Sequence, residues 1–314
     1  MAITNFDELV EAVKGLPPQT VAVAAANSEP AVVGAVQAAE MGVAQPIFYG
    51  DAGHIREIAG VHGLDLSPYE IIDEPDDLKA TAMAVQAVHD GKAQVVMKGH
   101  IHTDDFLRAV LDKEHGLRAG YLMSHVFILE ARHLGRLLFV TDGAMNIAPD
   151  LEQKAQIILN AVYLARLFGI RRPKVGVLAA VEVVNPKMQA TLDAAAFAAM
   201  DRRGQFPYCV VDGPFAMDNA ISEDAARIKG IKGPVAGQCD ILVVPDIEAG
   251  NIMVKTFSFL CGGRTAGVLI GAAAPVVLTS RADTPEARVH SIAAGALVAG
   301  LQRTARCKIG RVHY

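Results

Sequence analysis

The sequence has no Trp and only four Cys in 314 residues. The cysteines are Cys209, Cys239, Cys261 and Cys307, and no two form a C-x-x-C pair, so neither a zinc knuckle nor a dithiol redox motif is legible. Four scattered thiols make no disulfide framework, and the expectation is buried, reduced cysteine. No run of Lys and Arg stands out and the formal net charge is −5, which argues against nucleic acid as a partner. The longest apolar run, "AGVLIGAAAPVVLTS", is too short to span a bilayer and contains Pro275. The opening "MAITNFDELVEAVKGL" lacks the basic start and apolar core of a signal peptide. These absences predict a soluble, cytoplasmic protein with no membrane partner.

What is present is apolar bulk. The chain is 52% hydrophobic and 20% charged, with 28 Gly. Its apolar residues are mainly Ala, Val, Leu and Ile, enough for a large core, and the length suits two domains or one large α/β domain. Short β-branched runs recur at 20–26, 45–50, 93–99, 137–143, 174–180, 208–214, 240–246 and 274–280. Being apolar throughout, they suit strands covered on both faces. Amphipathic segments such as "PAVVGAVQAAEMG", "DDLKATAMAVQAVHDG" and "DLEQKAQIILNAVYLARLFG" lie between them and end in Gly, as helices often do. The alternation predicts parallel sheets.

In such sheets ligands bind beyond the carboxyl ends of the strands. Those ends carry Asn27, Lys98, Asp142, Glu182, Asp212, Asp246, and then Ser280 and Arg281. "VVMKGHIHTDDF" invites a metal reading through His100 and His102, as in a metal-dependent hydrolase. The remaining eight histidines fall in loops or helices, and the His-x-His pair lies past Gly99, in the turn, so the two rings need not share a face. The preferred reading is strand, loop and helix: Thr103 caps the helix, and Asp104 and Asp105 meet the positive end of its dipole. The helix start, Lys98 and Arg108 together could bind an anion.

Near the end, "GVLIGAAAPVVLTSRADTPEARVHSIAAGALVAGL" reads as a strand followed by a helix, with Thr284 as N-cap and Pro285 at the first helical position. Ser280 and Arg281 fall between them. An Arg there can hold a phosphate with two parallel hydrogen bonds, and a Ser hydroxyl can donate to a developing oxyanion. The alternative is an Arg paired with Asp283 at the surface. In "PDIEAGNIMVK", Asp246, Glu248, Asn251 and Lys255 read either as a wall near a nucleotide or as helix capping. "DGPFAMDN" gives Asp212 and Asp218 as structural residues, with a turn at Gly213-Pro214.

These stretches resemble the phosphate acetyl/butyryltransferase family. The likeness runs from about Ala24 to Gly300 and rests on "VVMKGHIHTDDFLRAVL", "SHVFILE", "FVTDGAMNIAPDLEQKAQI", "VDGPFAMDNAIS", "CDILVVPDIEAGNIMVKTFSFL" and "GRTAGVLIGAAAPVVLTSRADT". The resemblance implies acyl transfer between coenzyme A and inorganic phosphate, with acyl phosphate as product or substrate and butyryl or acetyl as the acyl group. No metal and no cofactor beyond coenzyme A as substrate is implied, and a homodimer is the usual assembly. The implied fold is a two-domain, parallel-sheet α/β fold of the isocitrate/isopropylmalate-dehydrogenase-like type with a central cleft. One domain would comprise 1–140 plus 268–314, with 141–267 inserted.

The resemblance assigns oxyanion stabilisation to Ser280 and phosphate holding to Arg281. Arg108 would bind phosphate, with Lys98, Thr103, Asn251 and Lys255 as further substrate-binding candidates. One departure concerns the base: acetyl-specific members carry an Asp two turns past the Ser-Arg pair, and Ala287 stands there. Asp283 is the catalytic candidate in its place, with Glu286 nearby, unless phosphate or a CoA thiolate makes a base unnecessary. Two readings compete. A metal- and nicotinamide-dependent dehydrogenase on the same fold needs an Asp or His cluster that is not visible here. A two-lobed binding protein would usually be exported.

Overall fold

The computed structural model describes residues 2–280, 282–302 and 308–313. In chain order the elements are α1 (Phe6–Lys14), β1 (Thr20–Ala24), α2 (Glu29–Glu40), β2 (Gln45–Gly50), α3 (Ala52–His62), β3 (Glu70–Asp73), α4 (Asp77–His89), β4 (Val95–Lys98) and α5 (Thr103–Val110). Then follow β5 (Ser124–Ala131), β6 (Arg136–Thr141), α6 (Leu151–Leu167), β7 (Lys174–Leu178), α7 (Gln189–Arg202), β8 (Val210–Phe215), α8 (Met217–Ile221), α9 (Glu223–Ile228), β9 (Ile241–Val243) and α10 (Ile247–Lys255). The chain closes with β10 (Thr265–Ile270), β11 (Val276–Val277) and α11 (Pro285–Gln302). Among the described residues no helix is long and apolar enough to cross a membrane.

The chain forms two compact units. One comprises Phe6–Tyr121 and the described part of Thr265–Arg306; the other comprises Leu122–Arg264 with the described residues of the two termini. The sequence reading drew its boundaries at 140/141 and 267/268. The units divide at 121/122 and 264/265 instead, because β5 pairs antiparallel with β6 and β6 pairs with β9. The terminal segments also join the inserted stretch: the Ile3 N–H donates to Phe168 O at 2.9 Å, and Gly310 lies against Pro207 and Leu159.

In the first unit the strand order is β3-β2-β1-β4-β11-β10, parallel except for the β10–β11 pair. In the inserted unit it is β5-β6-β9-β7-β8, parallel except for β5–β6. The expected α/β class and the mainly parallel pairing are therefore present. The apolar runs produce this because parallel strands need crossover helices that cover both faces; β4, "VVMK", is buried at every position. The Gly-terminated segments became α2, α4 and α6, each followed by a positive-φ glycine: Gly42, Gly91 and Gly169. Helix α6 carries a capping box between Asp150 and Gln153.

Four details differ from the sequence reading. The stretch 267–280, read as one strand, holds parts of two: Leu269 of β10 faces Val276 of β11 antiparallel, across a turn whose Gly271 has φ 102°. Strands β3 and β5 were not anticipated. Gly213-Pro214 lies inside β8 rather than in a turn, with a cis peptide bond. Of the cysteines, Cys209 and Cys239 are buried as expected and Cys261 is exposed; Cys307 lies outside the described residues.

Helix α11 is buried continuously from Arg288 to Gly300. Small residues permit this. A Cβ on Gly295 would lie 3.0 Å from Val277, and one on Gly300 would lie 2.9 Å from Leu16.

Candidate active site

Strands β1, β4 and β11 are parallel neighbours, with Ala24 opposite Lys98 and Val277 opposite Met97. Their carboxyl ends therefore come out side by side. This placement brings Lys98 and the Ser280 turn together: the Thr279 hydroxyl reaches the Lys98 carbonyl oxygen at 3.4 Å.

Lys98 is buried, and its Nζ lies 3.4 Å from the Gly99 carbonyl oxygen. The next residue has to be glycine. A Cβ on Gly99 would sit 2.3 Å from Ala25 O and 2.5 Å from Ala24 O. The Gly99 and His100 N–H groups instead donate to those carbonyls at 2.8 and 2.7 Å. The chain then enters α5, anchored by buried Phe106 and Val110.

Thr103 does not cap this helix. His102 occupies the N-cap position without a side-chain cap bond, and Thr103 is the first helical residue. Asp104 and Asp105 lie in the first turn, as the dipole favours. Arg108 lies in the last turn, largely exposed, and donates to Asp105 Oδ1 at 2.6 Å. It is therefore not gathered at the helix start. His100 Nδ1 stands 3.9 Å from Asp77 Oδ2, and Asp77 also accepts from Asn27 Nδ2 at 2.6 Å. Among the described residues no three or more His, Cys, Asp or Glu side chains group so as to hold a metal ion.

The Ser280 turn is closely tied. Asp283 Oδ2 accepts the Ser280 N–H at 2.7 Å, and the Asp283 N–H donates to the Ser280 carbonyl oxygen at 3.2 Å. The Thr284 hydroxyl accepts from the Ala287 N–H at 3.1 Å, so it caps α11 as expected. Ser280 is exposed, and its Oγ accepts the Ala282 N–H at 3.4 Å. Arg281 lies outside the described residues.

Sequence reading passed over Arg288. This buried arginine donates to Thr279 Oγ1 at 2.6 Å and to the Ser280 carbonyl oxygen at 2.7 Å. Burial pulls its pKa below the usual guanidinium value, and the negative charge of Asp283 pushes the other way. A charged residue heading the apolar stretch "RVHSIAAGALVAG" was the available signal.

Asn251 and Lys255 belong to the inserted unit. Asp246 caps α10 by accepting from Ala249 N at 2.9 Å, which is the capping alternative. Asn251 Nδ2 donates to Gly143 O at 3.1 Å, where Gly143 and Gly250 touch backbone to backbone. Lys255 Nζ lies 5.7 Å from the Phe259 ring centre. Asp142 is structural: its carboxylate accepts N–H groups from His125, Ala144, Met145 and Asn146.

Residues 77–296 match the family described as phosphate acetyl/butaryl transferase. The chain is 51% identical to a phosphate butyryltransferase of Clostridium beijerinckii, over 94% of this chain and 98% of that one. It is 43% identical to a phosphate acetyltransferase of Rhizobium meliloti, over 96% of each. This chain belongs to the phosphate acetyl/butyryltransferase family. The fold agrees. A branched-chain phosphotransacylase from Enterococcus faecalis superposes with a TM-score of 0.78 at 30% identity, covering 90% of this chain and 99% of that one. A phosphotransacetylase from Streptococcus pyogenes gives 0.76 at 25% identity, covering 94% and 97%.

As a member of this family the chain is an acyltransferase, and the dehydrogenase and hydrolase readings are not favoured. The matched span contains the Lys98 strand end, the Ser280 turn and Arg288. Ser280 lies between the end of β11 and the start of α11, an 18-residue helix of the first unit.

Proposed function

We propose that the chain transfers a short acyl group between coenzyme A and inorganic phosphate, with Ser280 as oxyanion donor and Arg281 as phosphate holder. The observation that carries this reading is the Ser280 turn. Its backbone is bonded on both sides of the residue, the residue is exposed, and its Oγ accepts the Ala282 N–H at 3.4 Å, an arrangement that leaves the hydroxyl hydrogen to donate. A donor held this way is oriented before the reaction begins, which is what stabilising a tetrahedral oxyanion requires.

Towards acyl phosphate, a phosphate oxygen attacks the thioester carbonyl carbon and the carbonyl oxygen takes up negative charge beside Ser280. The C–S bond then breaks. The CoA thiolate leaves with the electron pair and takes the proton released by the phosphate. In reverse, the thiol attacks the acyl phosphate and its proton passes to the departing phosphate. No separate base is needed in this scheme. Asp283 is assigned to holding the Ser280 turn, through the bond it already makes. Lys98, Thr103 and Arg108 in the first unit, and Asn251 and Lys255 in the inserted unit, are proposed contacts to the phosphate groups of the two substrates. The remaining task is proximity, holding thiol and acyl phosphate in line. Coenzyme A acts as substrate, and no further cofactor takes part.

The resemblance further supports an isocitrate-dehydrogenase-like arrangement around a cleft, a homodimer and a cytoplasmic location. Butyryl is the preferred group in this proposal. A butyryltransferase at 51% identity and Ala287 at the acetyl-type Asp position support it. The test is thiol release from acetyl-, butyryl- and longer acyl-CoAs with phosphate, with and without a chelator. Phosphate-dependent release that survives the chelator and is fastest with butyryl-CoA is expected. Release that needs no phosphate would defeat the reading.

A further inference from the structure

We infer that Arg288 is a positioning residue for the reaction, acting through the Ser280 turn. The inference rests on the role proposed above for Ser280. Arg288 lies one turn into α11, only 3% exposed, at the head of the buried stretch of that helix. A guanidinium is seldom buried so fully without a carboxylate bonded to it. Here Nη1 donates to Thr279 Oγ1, Nη2 donates to the Ser280 carbonyl oxygen, and the buried Nε has no partner among the described residues.

That arrangement is poor for stability. An unbranched apolar side chain of similar length would fill the space without desolvating a charge or leaving a donor unpaired. What the arginine adds is direction. Its planar fork places two N–H groups at a fixed spacing on two successive residues of the turn. Thr279 in turn reaches the Lys98 carbonyl oxygen, so the fork ties the turn to the end of β4. Helix α2 is notched to let the side chain pass: a Cβ on Gly34 would lie 2.9 Å from Arg288 Cβ and 3.2 Å from its Cδ.

Arg288 holds the Ser280 carbonyl and Asp283 holds the Ser280 N–H. The peptide groups on both sides of Ser280 are thus fixed, and its Oγ accepts the Ala282 N–H at 3.4 Å within the same turn. Release of the carbonyl would let the turn shift, and the hydroxyl would lose its aim at the carbonyl oxygen of the thioester.

The test is steady-state kinetics beside thermal unfolding, on the full chain, for Arg288→Met, Ser280→Ala and the double variant. Arg288→Met is expected to lower kcat about tenfold or more, as small misplacements of reacting groups do. KM for acyl-CoA and phosphate should stay within about twofold, since no substrate contact is removed. The double variant should be no slower than Ser280→Ala alone, because both changes disable one device. Wild-type kcat in folded Arg288→Met, or losses that simply multiply in the double variant, would overturn the inference. Wild-type turnover in Ser280→Ala alone would remove the role of Ser280 and this inference with it, and that single variant tells the two failures apart. If Arg288→Met does not fold, Thr279→Val carries the test. It removes one acceptor of the fork, a several-fold lower kcat is expected, and unchanged kcat overturns the inference.

Discussion

The Asp283 carboxylate accepts the backbone N–H of Ser280, three residues upstream, at 2.7 Å. An amide oxygen can accept the same bond, but an amide cannot take up a proton. Asp283→Asn is therefore expected to keep turnover within about threefold, while Asp283→Ala, which loses the acceptor, falls about tenfold. Initial rates with acyl-CoA and phosphate decide it. A loss of about a hundredfold in the Asn variant would instead give the carboxylate the proton-transfer task.

Arg281 follows Ser280 directly and is assigned to the transferring phosphate. Arg281→Ala is expected to lower turnover by about a thousandfold, the scale on which removing a charge-stabilising donor acts. Circular dichroism and the unfolding midpoint should stay near wild type. Near-normal activity in this variant would remove the assignment.

Gly99 admits no side chain, because a Cβ would press on Ala24 O and Ala25 O. Gly99→Ala must push the β1 and β4 ends apart. The expected cost is about 1–3 kcal/mol in urea unfolding, the usual scale of overpacking, with a fall in kcat as Lys98 and the neighbouring turn shift. Unchanged stability would mean that these strand ends yield more easily than their hydrogen bonds suggest.

Burial pushes the thiols of Cys209 and Cys239 up to about 12, Asp201 adding to the effect at Cys209. Both stay protonated through neutral and mildly alkaline pH, and the thiolate is the reactive form. A disulfide reagent at pH 8 is expected to label exposed Cys261 in the native protein and to spare Cys209 and Cys239 until denaturant is added. Peptide mapping of the labelled protein checks this.

In the inserted unit Lys154 of α6 and Asp193 of α7 form a buried ion pair at 2.6 Å, and Gln189 donates to the other Asp193 oxygen at 2.7 Å. Lys154→Met leaves that carboxylate without its cation and is expected to cost about 3–5 kcal/mol in urea unfolding. Gln189 keeps one of its hydrogen bonds. A cost below about 1 kcal/mol would show that the pair is solvated in practice.

Much of the architecture was legible because parallel sheets impose a demand the sequence has to meet. Strands covered on both faces require unbroken apolar runs, and the crossovers between them require amphipathic segments that stop. Every apolar run named in advance contains a strand, and the three Gly-ended segments are helices. The cap at Thr284 was equally readable, since a hydroxyl before Pro285 has a local task. Where local chemistry allowed two outcomes, reading failed. "HTDD" offers two residues for one cap, and the chain begins its helix at Thr103 instead of capping with it. Strand β3, "EIID", is four residues at a sheet edge, two half-buried Ile between two exposed carboxylates, and carries almost no periodic signal.

By itself, the sequence determined the α/β alternation, the covered strands, and the Thr284 cap at the start of α11, because each depends on neighbours along the chain. Tertiary structure decided the rest. The split of the 267–280 stretch depends on Leu269 meeting Val276, and the end of β4 meets the Ser280 turn only because β4 and β11 are neighbours. Asn251 and Lys255 fall in a different compact unit from Ser280, which spacing along the chain does not reveal. Arg288 is the sharpest case. Helical periodicity gives it a position on α11, but only packing against Gly34, Thr279 and Ser280 turns a buried charge into a clamp on the turn.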